Sequence, residues 1–282
     1  MTWKRISYAL LLGTGVAFAA CNNEEKKSEP ETTTAATPKE PKYKEDNVTY
    51  TGDNITMSGY VVYDENKEGV RPAVIVVPEW WGLNDYPKRR ARELAELGYI
   101  AIAVDMYGDG KVADNPDSAG KYATPFYKDP QMAKRRFDAA LSKLKTYSQV
   151  DTTKIAAIGY CFGGAQVLNM ARLGENLKGV VSFHGNLMGV PADKNTLKAS
   201  ILVCHGAADT FVSPGEIASF KKEMDSVGAD YTFKSYEGAV HAFTNPGATE
   251  LGKKFKLNIA YNAAADTASW QDMKAFFGKI FQ

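Results

Sequence analysis

The chain has 282 residues, of which 44% are hydrophobic and 24% are charged, and its formal net charge is +1. This composition is typical of a globular protein with room for one large domain or two small ones. Residues 1–20 contain two basic and no acidic side chains, so the rest carries 32 basic against 33 acidic groups. A nearly neutral chain gives no reason to expect a nucleic-acid partner.

The N-terminal segment has the features of a bacterial export signal. Two basic residues precede an apolar run, Ile6–Ala20, that is too short to span a bilayer comfortably but is typical of a secretory leader. Phe18-Ala19-Ala20-Cys21 resembles a lipobox, although phenylalanine replaces the usual leucine. We therefore expect residues 1–20 to be a signal peptide and Cys21 to be lipidated, which would hold the protein on a membrane facing the periplasm or the cell surface. Cleavage after the A-x-A sequence at residues 17–19 would instead release a soluble periplasmic protein.

Residues 21–46 are expected to form a disordered tether behind the lipid anchor. Residues 22–46 are rich in Glu, Lys, Thr and Pro and contain no large aliphatic side chain, so they cannot bury enough apolar surface to fold. A solvated spacer would hold an attached domain clear of the lipid. The sequence from 47 to 282 has no repeat and no second linker, and it is predicted to be one domain.

The domain begins with two short antiparallel strands and continues with alternating strands and helices. The first pair, Val48–Tyr50 and Met57–Tyr63, is separated by the turn sequence Gly52-Asp53-Asn54. Between 131 and 147, apolar residues recur at helical spacing. The alternation predicts an α/β fold with a mostly parallel central sheet and helices on both faces. Short, almost continuous apolar runs, as expected for strands buried on both faces, occur at Ala73–Val77, Ile100–Met106, Ile155–Tyr160, Val180–Phe183, Ile201–Cys204 and Tyr231–Tyr236.

An apolar strand runs directly into Gly159-Tyr160-Cys161-Phe162-Gly163 and then into a helical sequence. This Gly-x-Cys-x-Gly pattern is typical of a nucleophile elbow, in which a sharp strand-to-helix turn needs glycine two positions before and after the nucleophile. The turn would direct the backbone N–H of Phe162 and the positive end of the helix toward a developing oxyanion. A phosphate-binding loop is disfavoured, because the Lys-Ser/Thr pair of a P-loop is missing.

A thiol nucleophile needs a base, and the chain contains only three histidines, His184, His205 and His241. His241 follows the last predicted strand, where α/β-hydrolases carry their base, and Asp209 follows the preceding strand. The order Cys161, Asp209, His241 is that of an α/β-hydrolase triad, although an aspartate in this context also serves as a helix cap or turn residue. His205 is expected to close a strand, and His184 to be a packed loop residue or to line the pocket.

Cys161 and Cys204 are not expected to form a disulfide. The Val180–Phe183 strand should lie between their strands, which would place them about 9 to 10 Å apart. Cys204 is therefore predicted to be a buried core thiol.

These motifs together resemble the dienelactone hydrolase family over residues 47–282. The resemblance implies that Glu79 contacts the resting thiol and helps to generate the thiolate, and that the Trp80 N–H is the second oxyanion donor. From its position after the first parallel strand alone, Glu79 could be either a base or a loop hydrogen-bond acceptor, and the functional role is favoured. The enzyme that gives the family its name binds a substrate carboxylate with two arginines, whereas this chain has Gly108 and Asn245 at the matching positions. Dienelactone itself is therefore not expected to be the substrate. The matching segments are Pro78–Asn84, Asp105–Tyr107, Gly159–Gly164, His205–Asp209 and His241–Phe243.

The sequence therefore predicts a monomeric hydrolase that cleaves an ester or lactone through a thioester intermediate, without a cofactor or metal. Acyl transfer to an acceptor other than water would use the same residues, and a ligand-binding lipoprotein could keep the fold without turnover. The substrate pocket is expected to involve Trp81, Tyr107, His184 and Phe243.

Overall fold

The computed structural model describes residues 40–282, which fold around one eight-stranded sheet. The sheet order is β1-β2-β4-β3-β5-β6-β7-β8. β1 and β2 form an antiparallel hairpin, and β2 pairs antiparallel with β4, whereas β4 and the strands beyond it run parallel. The strands are β1 (Tyr43–Gly52), β2 (Ile55–Asp64), β3 (Arg71–Val77), β4 (Ile100–Val104), β5 (Val150–Tyr160), β6 (Gly179–Phe183), β7 (Ser200–Gly206) and β8 (Tyr231–Tyr236).

Seven helices in the described chain connect or flank these strands. Most begin at a capping side chain; Asn84, for example, accepts the backbone N–H of Tyr86 at the start of α1. The helices are α1 (Asp85–Glu96), α2 (Pro116–Lys128), α3 (Pro130–Leu144), α4 (Phe162–Arg172), α5 (Pro214–Val227), α6 (Ala248–Phe255) and α7 (Ala263–Ile280).

The hydrophobic core lies in two layers, one on each face of the sheet. Alternate residues of a central strand belong to different layers, so that Ile75 packs with one and Val74 with the other. Helices α3, α4 and α5 contribute to the first layer, and α1 and α7 to the second. The central strands therefore need apolar side chains on both faces, which explains their continuous apolar runs. The predicted α/β fold, with helices on both faces of a mostly parallel sheet, is confirmed.

The domain begins earlier than the sequence predicted. β1 starts at Tyr43, four residues before the expected boundary at Asn47. Tyr43 pairs with Asp64, the last residue of β2, and the next residues of β1 pair with the residues of β2 that precede Asp64. The side chains of Tyr43, Lys44 and Glu45 are exposed, so the segment has no hydrophobic pattern; backbone pairing with β2 places it in the sheet. The expected signal peptide, the lipidation site Cys21 and most of the tether lie outside the described residues. Between residues 40 and 282, no helix is both long and apolar enough to cross a membrane.

Candidate active site

Cys161 occupies a sharp turn between β5 and α4. Its backbone has φ 52° and ψ −113°, a strained conformation for a residue with a side chain. The two flanking glycines are required by close contacts, because a Cβ at Gly159 would overlap the carbonyl of Gly163, and a Cβ at Gly163 would overlap the carbonyl of Val77. The predicted strand–turn–helix geometry is therefore present, and it presents the Cys161 side chain at the carboxyl edge of the sheet.

His241 and Asp209 lie together beside this turn. The ring Nδ1 of His241 is 2.8 Å from Oδ2 of Asp209, and both residues are buried. Oδ1 of Asp209 accepts the backbone N–H of Phe211 at 2.8 Å, which fixes the orientation of the carboxylate. Because Nδ1 faces Asp209, Nε2 is the nitrogen left for Cys161, whose sulfur acts on the charge of the ring. Cys161 and His241 line the same cavity, so the structure brings the three predicted residues together.

The charges of this trio determine the protonation of His241. Burial by itself lowers the pKa of the imidazole, but the Cys161 sulfur and the Asp209 carboxylate oppose that effect and raise the pKa to about 10. Together the two flanking groups favour the protonated form of the His241 ring.

Two backbone N–H groups near Cys161, those of Phe162 and Trp80, have no acceptor within residues 40–282. Phe162 is the first residue of α4, so its N–H has no acceptor within the helix, and the positive end of the helix dipole lies there. The N–H of Trp80 likewise has no acceptor within residues 40–282. The Trp80 segment is held in place by its carbonyl, which accepts the hydroxyl of Tyr107 at 2.9 Å. These are the two donors that the sequence predicted for an oxyanion.

Glu79 is a buried carboxyl group in the same cavity as Cys161. Burial raises its pKa to about 7, although a hydrogen bond from Asn245 and the charges of His241 and Arg90 lower it in part. Nδ2 of Asn245 donates to Oε2 of Glu79 at 2.6 Å, and Oδ1 of Asn245 accepts the N–H of Gly247 at 2.9 Å. Asn245 thus holds the carboxyl group of Glu79, a role that sequence reasoning missed because the two residues are 166 positions apart.

His184 supports the turn from behind. The Cys161 N–H donates to the Phe183 carbonyl at 2.9 Å and to Nδ1 of His184 at 3.1 Å. Since Nδ1 accepts, Nε2 carries the proton and donates to Oγ1 of Thr244 at 2.7 Å. Burial lowers the pKa of His184 well below its ordinary value, so the ring stays neutral. The hydroxyl of Tyr86, 2.6 Å from the same Oγ1, extends the network away from the cavity.

A cavity of about 180 Å³ opens in front of Cys161. Of the four predicted pocket residues only Trp81 lines it. The prediction was wrong for Tyr107 and Phe243, and His184 takes the packed, hydrogen-bonded position that was its other reading. Tyr107 packs against Phe162 and turns its hydroxyl to Trp80, whereas His184 and Phe243 are buried behind the site, with rings 5.3 Å apart. The lining consists of Glu79, Trp80, Trp81, Ala123, Tyr127, Cys161, Asn186, Phe211, His241, Ala242, Leu257 and Ile259.

Cys204 and His205, the other cysteine and histidine of residues 40–282, lie outside the cavity lining. Cys204 and Cys161 are both free, with β6 between their strands as expected. Cys204 is buried in β7 and receives the Tyr236 hydroxyl at 3.4 Å, and burial raises its pKa to about 12. His205 lies in β7 and packs on Phe233. Within residues 40–282 no group of three or more His, Cys, Asp or Glu side chains is arranged to hold a metal ion.

The sheet order and the strand–turn–helix nucleophile position define an α/β-hydrolase. The model of the dienelactone hydrolase family matches residues 57–281, and the chain belongs to that family of ester and lactone hydrolases. A dienelactone hydrolase-like promiscuous phosphotriesterase from metagenomic libraries is 38% identical, with a TM-score of 0.80 over 85% of this chain and 99% of that one. A structure named m3DLH is 34% identical, with a TM-score of 0.81 over the same shares. "Protein usf" of Aquifex pyrophilus is 31% identical over 68% of this chain and 84% of its own length.

Proposed function

We propose that the protein hydrolyses carboxylic esters or lactones through a thioester on Cys161, with His241 as the acid–base and Asp209 as its orienting carboxylate. The observation that carries this proposal is the contiguous chain from Asp209 through His241 to a cysteine held at a strained turn. Membership in a family of ester and lactone hydrolases supports the reaction class.

The reaction proceeds in two halves. The Cys161 thiolate attacks the acyl carbon, and the N–H groups of Phe162 and Trp80 hold the oxyanion. The tetrahedral intermediate collapses, the C–O bond breaks, and imidazolium His241 gives its proton to the departing alkoxide. Water then enters and loses a proton to neutral His241 as its oxygen attacks the thioester. Expulsion of the thiolate releases the acid and restores the ion pair.

Glu79 has a place in generating the thiolate. Its carboxyl group lines the cavity beside Cys161, and a pKa of about 7 lets it take up or release a proton near neutrality. In the role that the family resemblance implies, Glu79 contacts Cys161 at rest, helps to generate the thiolate and is displaced as substrate enters. If the Glu79 carboxyl group moves, either its hydrogen bond from Asn245 must lengthen or the Asn245 side chain must move with it.

The decisive experiment compares the two described cysteines. Cys161→Ala is expected to abolish turnover of short p-nitrophenyl esters, whereas Cys204→Ala should leave most of it, because Cys204 is buried away from the cavity. Mass spectrometry after a brief exposure to ester should find the acyl group on Cys161. Equal loss of activity in both variants would refute the assignment of the nucleophile.

A second candidate reaction is hydrolysis of uncharged phosphotriesters. It is favoured by similarity to the promiscuous phosphotriesterase and by a cavity whose lining, within the described residues, contains no lysine or arginine. Diethyl 4-nitrophenyl phosphate tests it: release of nitrophenol should depend on Cys161. Nitrophenol release that Cys161→Ala leaves unchanged would exclude this candidate.

For localisation we propose a lipid anchor on Cys21, supported by the lipobox-like sequence and the short apolar leader. Cys21→Ser should move the protein from the membrane fraction to the soluble periplasmic fraction. An unmodified Cys21 in membrane-extracted protein would overturn the proposal.

A further inference from the structure

We infer that the site selects substrates without a negative charge, namely small apolar esters or lactones, and rejects analogues that bear a carboxylate. This inference rests on the proposed function and narrows its substrate class. It is argued from the charges, the hydrogen bonds and the size of the cavity in front of Cys161.

The cavity wall is mostly aromatic and aliphatic. Trp80, Trp81, Tyr127 and Phe211 supply rings, and Leu257 and Ile259 supply aliphatic surface. No lysine or arginine of the described chain is part of this lining. A carboxylate placed against these rings and aliphatic groups would lose hydration without gaining a positively charged side chain as a partner, which is unfavourable.

Two polar side chains next to the cavity wall, Asn245 and Arg90, are already engaged. Both ends of the Asn245 amide are bonded, one to Glu79 and one to the N–H of Gly247. Arg90, whose charge acts on Glu79, is buried and directs Nη2 to Asp266 and to the carbonyl of Thr244, away from the cavity. Neither side chain can bind a substrate carboxylate without breaking these contacts.

The one acidic group in the lining adds repulsion. Glu79 shares the cavity with Cys161 and His241, and above neutrality its carboxylate places a negative charge where a second anion would have to enter. The positive groups in front of Cys161 are His241 and the N–H donors of Phe162 and Trp80, which the reacting oxygen needs. A substrate carboxylate would therefore meet one like charge and compete with the oxyanion for its donors.

The volume of the cavity limits the size of the apolar acyl or alcohol portion of the substrate. A volume of about 180 Å³ is comparable with the roughly 150 Å³ apolar cavity that accommodates benzene. The site therefore takes an acyl or alcohol portion of about one aromatic ring or a short chain, and a larger portion would have to extend past the exposed rings of Tyr127 and Phe211.

A matched pair of acetate esters tests the inference in the full-length protein. Methyl 4-acetoxybenzoate is uncharged, and 4-acetoxybenzoate differs from it by one carboxylate far from the reacting carbonyl. After each kcat/KM is divided by the rate with hydroxide, the neutral ester should be favoured by about 100-fold at pH 8, and by less at pH 5.5, where Glu79 is largely protonated. Because both substrates transfer the same acetyl group, their ratio cancels the titration of Cys161 and His241.

A positive charge added to the cavity wall should weaken the preference for the neutral ester. Leu257→Arg should lower the ratio at least about tenfold, whereas Leu257→Gln, which adds similar bulk without charge, should leave it within about threefold. Equal rates for the two wild-type substrates, both lost in Cys161→Ala, would overturn the charge selection and leave the hydrolase proposal standing. Cleavage that survives in Cys161→Ala would instead overturn the proposed function.

Discussion

At the residue scale, the protonation of His241 depends on two neighbours that differ in chemistry. Asp209 accepts a hydrogen bond from Nδ1, and Cys161 interacts with the ring from the other side. If the sulfur charge is one reason for the raised pKa, replacing it with a neutral group must lower that pKa.

Cys161→Ser is therefore expected to make His241 titrate well below the value of about 10 that it has in the wild type. Imidazole NMR can follow this directly, since the chain has only three histidines and burial lowers the pKa of the other two. Cys204→Ser is the matched control and should leave the titration unchanged. A His241 pKa that is the same in Cys161→Ser and the wild type would contradict the ion pair.

Glu79 should make the stability of the fold depend on pH. Its pKa is about 7 in the folded chain against an ordinary 4.5, so the folded state holds the proton more tightly than the unfolded state does. The stabilisation by the protonated carboxyl is fully present below about pH 4.5 and is lost as the pH rises to about 7. Glu79→Gln keeps an acceptor for Asn245 without the charge, and should raise the free energy of unfolding at pH 8 by about 3 kcal/mol.

Urea denaturation of the wild type and Glu79→Gln at pH 5 and pH 8 measures this difference. The gain should be clearly smaller at pH 5 than at pH 8. A variant whose advantage is the same at both pH values would show that burial of the charge is not the cause.

At the scale of elements, the turn between β5 and α4 tolerates no side chain at its two glycines. Gly159→Ala would force a methyl group into the carbonyl of Gly163, so the expected result is loss of folded, active protein. Gly120→Ala is the matched control, since nothing lies within 4 Å of its added Cβ in α2. That variant should keep full activity and gain about 0.5 to 1 kcal/mol of stability.

Expression yield, circular dichroism and ester turnover distinguish the two variants. Normal activity in Gly159→Ala would mean that the turn can relax, and the strained backbone of Cys161 would then have no steric explanation.

The sequence predicted the elements that burial governs. β3 to β7 are covered on both faces and therefore show as apolar runs, and the Gly-x-Cys-x-Gly spacing locates the nucleophile turn because steric contacts require it. No apolar pattern in the sequence indicates that β4 lies between β2 and β3 in the sheet. None marks the start of β1 either, because its first side chains are exposed.

The pocket was predicted less well than the trio. Tyr107 and Phe243 belong to the predicted motifs, but their rings pack into the core. Tyr127, Phe211 and Leu257 instead come from α2 and two loops that only the tertiary fold brings together. The partnership of Asn245 with Glu79 likewise has no local signal.

At the scale of the whole molecule, the boundary of the domain affects its stability. Beginning the chain at Asn47 would remove four residues of β1 together with the paired contacts of Glu45 with Arg92 at 2.8 and 2.9 Å. Beginning at Glu40 keeps these contacts and the hydrogen bond from the Lys42 N–H to Asp64.

The chain from Glu40 should melt at the temperature of the full-length protein, and the chain from Asn47 several degrees lower, which differential scanning calorimetry can resolve. Equal melting temperatures for the two truncations would mean that the first residues of β1 add nothing to the fold.

The two described thiols differ in accessibility, and this difference can report whether the protein is folded. Cys161 opens onto the cavity, while Cys204 lies in β7 with its side chain fully buried in the core. In a preparation whose residue 21 is blocked or changed to serine, an alkylating reagent should therefore count one sulfur per native molecule and two per denatured molecule. The rate at which the second becomes accessible would report how often the centre of the sheet opens, without any added probe.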